Sequence, residues 1–197
     1  MRKKLLFIAL LLSFTLGGAY AGTITPATTN QPKYVISNPE ASINGHTQVL
    51  HDFYLFKDSD CRELIGVIKA GTAIEVLHSE FRYYRTAKGR ISRVLHDYDR
   101  LGLKVGDVFD ILFWCEDDTW LVGYKGKLTY LPFRPDFETN RISAGVYDYS
   151  DQFEGYIIDN QEDKTILLLV RLNDNRLGWI KIDNRGFYEG IYRHIQY

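Results

Sequence analysis

Apolar and polar residues alternate in short runs from Thr47 to the C-terminus, and no stretch sustains the 3.6-residue period of an amphipathic helix. The alternation predicts strands at 49–56, 64–68, 73–77, 81–85, 90–94, 108–114, 120–124, 127–131, 165–172 and 177–182, with an earlier short one at 33–37. Turn formers separate them: Asp58-Ser59-Asp60, Lys69-Ala70-Gly71-Thr72, Glu116-Asp117-Asp118, Lys125-Gly126 and Asn173-Asp174-Asn175-Arg176. Ala87-Lys88-Gly89 reads as a hairpin tip joining 81–85 to 90–94, and Lys125-Gly126 as a second tip. Many short strands at close spacing make the fold class all-β, with small barrels or a sandwich and few or no helices.

Two segments repeat one pattern. Lys69-Ala70-Gly71-Thr72-Ala73-Ile74-Glu75-Val76-Leu77 and Lys104-Val105-Gly106-Asp107-Val108-Phe109-Asp110-Ile111-Leu112 both read lysine, any residue, glycine, a polar residue, then an alternating strand. Tandem copies of one small β-unit leave such a trace.

The N-terminus has another character. Met1-Arg2-Lys3-Lys4 is basic, residues 5–16 are apolar apart from Ser13 and Thr15, and Gly17-Gly18-Ala19-Tyr20-Ala21 supplies small residues in an A-x-A pattern. This predicts a secretory signal peptide cleaved after Ala21. The apolar run is short for a membrane span, and no second one of spanning length follows. A periplasmic or secreted protein is expected, with no transmembrane segment in the mature chain. Residues 22–46, rich in Thr, Pro and Asn, read as a flexible leader. Beyond the signal lie roughly 175 residues, enough for one medium domain or two to three small ones.

Lys and Arg number 24 against 25 Asp and Glu, so no global charge draws the chain to nucleic acid or an anionic membrane. Fourteen Tyr, 11 Phe and 3 Trp suit small β-domains, where tyrosine covers apolar area and keeps its tip in water. The two cysteines, Cys61 and Cys115, form an even pair in an oxidising compartment, so a disulfide is expected. It would close a long loop, for up to about 4–5 kcal/mol.

Leu101-Gly102-Leu103-Lys104-Val105-Gly106-Asp107, the acidic loop Glu116-Asp117-Asp118, Trp120, the hairpin 123–127 and Tyr130-Leu131-Pro132 occur in one order. Together they resemble an SH3 domain. Leu55-Phe56-Lys57-Asp58, Cys61 and residues 65–71 resemble the opening of a bacterial SH3 repeat. Gly178-Trp179-Ile180 is similar to the ending of another, and Gly145-Val146-Tyr147-Asp148-Tyr149 to the start of a eukaryotic-type SH3 domain. The resemblance implies two or three SH3-like barrels in tandem. One SH3-like region would span 47–137, as units of about 47–95 and 96–137, and a C-terminal SH3-like unit 138–197. It further implies a ligand groove of Trp120, Tyr130 and Pro132, edged by Asp117 and Asp118. The sequence departs from the family where Thr119 and Leu121 flank Trp120 and where Thr129 precedes Tyr130. A one-residue slip turns Trp120 to the opposite face, and the pattern admits both.

These features point to an exported binding module without catalysis, recognising a peptide, peptidoglycan or an envelope protein, with no cofactor and no nucleic acid. Two alternatives stand beside it. Asp60-Cys61-Arg62-Glu63-Leu64 superficially resembles the nucleophile context of cell-wall cysteine peptidases, although a strand rather than a helix is expected after it. An inhibitor or immunity protein blocking a partner enzyme is the other. His46, His51, His78, His96 and His194 lack metal-site spacing. The cluster Phe81-Arg82-Tyr83-Tyr84-Arg85 with Lys88, Arg90 and Arg93 would gather cations on one hairpin face, either for an anionic ligand or as a solvated surface.

Overall fold

The alternation resolves into fifteen strands in a computed structural model of the chain, which describes residues 22–24, 31–38, 45–95, 101–115, 118–145, 152–183 and 191–192. The strands are β1 (Gly22–Ile24), β2 (Tyr34–Ser37), β3 (Gly45–Val49), β4 (Phe53–Phe56), β5 (Leu64–Ile68), β6 (Ala73–Arg85), β7 (Ala87–Val94) and β8 (Val108–Trp114). They continue as β9 (Thr119–Tyr124), β10 (Lys127–Asp136), β11 (Arg141–Ala144), β12 (Phe153–Asp159), β13 (Asp163–Leu172), β14 (Leu177–Asp183) and β15 (Ile191–Tyr192). The protein is all-β. Among the described residues no helix is long and apolar enough to cross a membrane. The signal peptide lies outside the described residues, as do Glu116, Asp117, His96 and His194.

Strands β7 to β12 form a closed barrel in the order β10-β11-β12-β7-β8-β9. The others form a nine-stranded sheet along β1-β2-β6-β13-β14-β4-β5, with β3 on β6 and β15 on β3. The barrel is therefore nested. The chain leaves the sheet after β6, builds the barrel over 87–159 and returns to the sheet at β13. Unit boundaries near 95 and 137 would cut through this closed barrel.

Three sequence expectations change. Residues 81–85 and 90–94 do not form a hairpin: β6 pairs with β13, β2 and β3, whereas β7 pairs with β12 and β8, and buried Thr86 carries the chain between sheets. Residues 73–85 form one long strand, in which Leu77 has no partner opposite it on β13. The expected strand at 49–56 is two, β3 and β4, divided at 50–52. The Lys125-Gly126 hairpin does form, between β9 and β10. Both turn residues have positive φ, 48° and 76°, the geometry that follows the twist of two paired strands.

The repeat of lysine, glycine and a polar residue has a physical counterpart. Gly71 and Gly106 both have positive φ, 85° and 93°. The Thr72 amide donates to the Lys69 carbonyl at 3.1 Å and the Asp107 amide to the Lys104 carbonyl at 3.0 Å. Each turn then locks onto an earlier strand by the same two bonds. Gly71 N–H donates to Val49 O (2.8 Å) and Val49 N–H to Thr72 O (3.1 Å); Gly106 N–H donates to Ile91 O (2.8 Å) and Ile91 N–H to Asp107 O (2.9 Å). One copy opens β6 of the sheet and the other opens β8 of the barrel.

Inside the barrel, alternate residues pack together: Ile91, Phe109, Ile111, Val122, Leu131, Phe133, Ile142, Phe153 and Ile157. Phe109, Phe133 and Phe153 stand with ring centroids 5.4–5.5 Å apart. Gly89 faces this cluster because a Cβ there would lie 2.3 Å from Phe109 Cζ. The other face of β8 and β9 carries Leu112, Phe113 and Leu121 into a second core with Ile36, Phe81, Tyr83, Ile166, Leu168 and Ile180 of the sheet. This barrel wall is covered on both sides, which is why β8 is apolar almost throughout.

One carboxylate joins the two layers. Asp110, on β8, accepts from Lys33 Nζ (2.6 Å), Tyr34 Oη (2.5 Å) and Thr86 Oγ1 (2.6 Å). Burial pushes the Asp110 carboxyl up, but the hydrogen bonds from Lys33, Thr86 and Tyr34 outweigh it, so the group lies below the usual carboxylate range. Burial, then the bond to Asp110, pushes the Tyr34 phenol far above its ordinary value.

Candidate functional site

The end of the barrel that faces β13 is an open mouth. Here β7 and β9 begin and β8, β10 and β12 end. A cavity of about 400 Å³ lies there, lined on the barrel side by Ile111, Phe113, Trp114, Trp120 and Phe137. Asn160, Glu162 and Lys164, from the return crossing and the start of β13, form its other wall. Barrel mouths are frequent ligand sites because apolar side chains and a few polar groups converge there.

Pairing sets the aromatic wall. Trp114 is opposite Trp120 across β8 and β9, and the Cys115 amide donates to the Thr119 carbonyl at 2.8 Å as the strands turn. Trp120 is also opposite Leu131 and stacks on Phe133 with centroids 5.9 Å apart and planes at 29°. Phe137, on the turn after β10, is tilted against Trp120 at 6.2 Å. Asp136 fixes that turn by accepting from the Glu138 and Thr139 amides and the Thr139 hydroxyl. Trp120 is thus half-buried against the barrel core, whereas Trp114 is 51 % exposed and Phe137 41 %.

The polar wall is charged but balanced. Lys164 Nζ donates to a Glu162 carboxylate oxygen at 2.9 Å and sits 5.7 Å from the centroid of the Tyr83 ring. Tyr83 is fully buried, and its hydroxyl has no hydrogen-bond partner among the described residues. Burial, then the nearby Glu162 and Cys115, raises the Tyr83 phenol well above its ordinary value.

The expected groove is only partly assembled. Antiparallel partners share a face, so Trp120 shares one with Leu131, whereas Tyr130 is opposite Leu121 and Pro132 opposite Thr119, on the other face. Trp120 and Tyr130 do not form one shelf. Asp118 has φ 59°, is paired with Arg134 at 2.7 Å, and accepts the Phe133 amide at its carbonyl, so it closes its own loop. Asp117 lies outside the described residues. Phe137, Asn160, Glu162 and Lys164 escaped the sequence reading, and Trp114 was left outside the expected groove. A Trp at each end of the short acidic turn was a local signal for Trp114; Phe137 reaches the mouth through the β9–β10 pairing, and Asn160, Glu162 and Lys164 only through the nested topology.

The expected disulfide is not formed: Cys61 and Cys115 are not bonded to each other. Cys115 is buried in the core between sheet and barrel, on the side of Phe81 and Tyr83. Cys61 lies beside Arg82, Thr165, Leu167 and Lys181, on the opposite face of the same sheet. The sheet itself separates thiols that would need Cα atoms within about 7 Å. Cys61 follows β4 in a turn with φ 53°. Burial raises its thiol more than the Lys181 and Arg82 charges lower it. His78 packs edge-on against Trp179 at 5.8 Å. Among the described residues no three His, Cys, Asp or Glu side chains gather as metal ligands. No protein-family model matches the chain, and neither the curated proteins nor the solved structures contain a match to it.

Proposed function

We propose that the chain is an exported, non-catalytic binding module of SH3-like build that holds a peptide or cell-wall component of the envelope at the mouth of its barrel. The observation that carries this reading is the aromatic wall of Trp114, Trp120 and Phe137 facing Asn160 and the Glu162–Lys164 pair across about 400 Å³. Exposed aromatic faces bind extended ligands by stacking, and the balanced polar wall supplies donors and acceptors without demanding a charged ligand. The ordered turn before β8, Trp120 on β9 and the hairpin at Lys125-Gly126 support the SH3-like part of the proposal. Cysteine-peptidase chemistry gains no support from Cys61, whose thiol is raised rather than activated and sits on a turn leading into β5.

Trp114→Ala is the direct test, because this side chain is half exposed and its loss spares the barrel core. Affinity for purified cell-wall fragments or envelope peptides should fall by about 1–3 kcal/mol, roughly 5- to 150-fold, with the circular dichroism spectrum unchanged. A folded variant that captures the same fragments as well as the parent chain would remove the mouth from the binding site.

A further inference from the structure

The free edge of the nine-stranded sheet supports an inference independent of the barrel mouth. Strand β5 ends the sheet order, and among the described residues no strand pairs with its outer edge. Edge strands are normally blunted by charge or covered, since unpaired backbone groups invite another strand. Strand β5 instead exposes 54 % of Leu64, 41 % of Ile65 and 45 % of Val67, and Tyr54, opposite Val67 on β4, exposes 63 %.

The edge reads Glu63-Leu64-Ile65-Gly66-Val67-Ile68-Lys69, which is self-complementary. Laid antiparallel on a copy of itself about a twofold axis at Gly66, exposed Ile65 meets the partner's exposed Val67 and Glu63 meets the partner's Lys69. Sliding the register by one residue puts Lys69 opposite an apolar Leu64 and Glu63 opposite Ala70. Only the centred register matches apolar to apolar and charge to opposite charge. Glu63 is paired with Lys57 at 2.9 Å and Lys69 with Asp52 at 2.6 Å, so each end of the ladder would become a row of four alternating charges. A twofold axis makes such a contact isologous and closed, giving a dimer rather than a fibre.

We infer that β5 is a homodimer edge, through which two copies join their sheets in the register centred on Gly66. Ile65 is the extra residue of a bulge against β4, between the pairs Leu55–Gly66 and Phe56–Leu64, which keeps the shared ladder short. Association is accordingly weak, with a dissociation constant on the order of micromolar.

Sedimentation of the mature chain across its concentration range tests the association, and engineered cross-linking tests the register. A reversible monomer–dimer equilibrium is expected, abolished in Ile65→Lys/Val67→Lys, where lysines face lysines across the axis. In a Cys61→Ser background, Gly66→Cys should oxidise to a disulfide-linked dimer, because centred antiparallel residues have Cα atoms about 4.5–5.5 Å apart. The nearest atom to a Cβ at Gly66 is Arg176 Nη1 at 3.6 Å, so the substitution fits. Leu64→Cys in the same background is the control: it is more exposed, yet the two copies would lie about 13 Å apart. Monomer at about 100 µM, well above the expected range, overturns the inference. So does a dimer that survives the lysine pair, or cross-linking at position 64 that equals that at 66.

Discussion

Removing the Asp110 side chain should partly unfasten the barrel from the sheet, and the cost can be worked from its three partners. In Asp110→Ala, the hydroxyls of Tyr34 and Thr86, on residues only 4 % and 2 % exposed, lose the acceptor they share. A buried donor left unpaired costs about 1–3 kcal/mol, so the two account for about 2–6 kcal/mol. Lys33, 34 % exposed at its side chain, recovers water and adds little. The total, about 2–6 kcal/mol, brackets the roughly 3–5 kcal/mol usual for breaking a buried charged pair and is a large share of an ordinary domain's 5–15 kcal/mol. Asp110→Asn keeps the shape and an acceptor oxygen and should cost less, about 1–2 kcal/mol, as charge-assisted bonds become neutral ones. Urea titration followed by tryptophan fluorescence reads both values. The pH dependence supplies a second check. The folded Asp110 carboxyl lies below its unfolded value of about 3.9, so its stabilisation is complete above that value and is lost as pH falls through the folded one. The parent chain should lose this contribution on acidification below about pH 4, while Asp110→Asn has none to lose. An Asp110→Ala chain within about 1 kcal/mol of the parent, or one with the parent's acid profile, would refute the role given to this carboxylate.

Two further perturbations follow from packing. Gly123→Ala should destabilise by about 1–3 kcal/mol, because its Cβ would lie 2.1 Å from Tyr34 Oη and drive that hydroxyl from Asp110; a neutral result in urea titration would contradict the contact. Thiol labelling of the unreduced, denatured chain should find both Cys61 and Cys115 reactive, and in the native chain Cys61 should react first because Cys115 is only 5 % exposed; a chain without free thiols would contradict their placement on opposite sheet faces.

The sequence was most legible where a strand is bounded by turns and its partner does not matter. Expected strands 64–68 and 108–114 coincide with β5 and β8, and the Lys125-Gly126 hairpin was readable because its pairing is local. Residues 81–94 were misleading for the complementary reason. They look like two strands around Ala87-Lys88-Gly89, but nothing within them encodes that one strand pairs with β13 and the other with β12, both about sixty residues or more further along the chain. Trp120 failed differently. Leu121 and Val122, which follow it, are both buried, because the β8–β9 wall has the barrel core on one side and the sheet on the other. Alternation carries no information about facing where both faces are covered. The even cysteine count likewise says nothing about which face of a sheet each thiol occupies.

The nested topology also accounts for the placement of the candidate site at this end of the barrel. Both crossings between the units occur there: Thr86 leads in beside Ala87, and the segment through Asn160 and Glu162 leads out, so the chain that fastens the barrel also supplies one wall of the cavity. The crossings are not the only ties, because Leu112, Phe113 and Leu121 of the barrel wall pack into one buried core with the sheet. Asp110, on the wall of β8 next to the Thr86 crossing, adds bonds to Lys33, to Tyr34 of β2 and to Thr86 itself. This core and these bonds hold the aromatic wall of Trp114, Trp120 and Phe137 opposite Lys164, so the proposed ligand would meet a cavity that is already formed. Preorganisation of this kind reduces the entropy lost on binding, which matters most for a shallow aromatic site with few directional contacts. The barrel alone, cut out at Ala87 and Asp159, would retain its three-phenylalanine core but lose Glu162 and Lys164, and with them the polar half of the site.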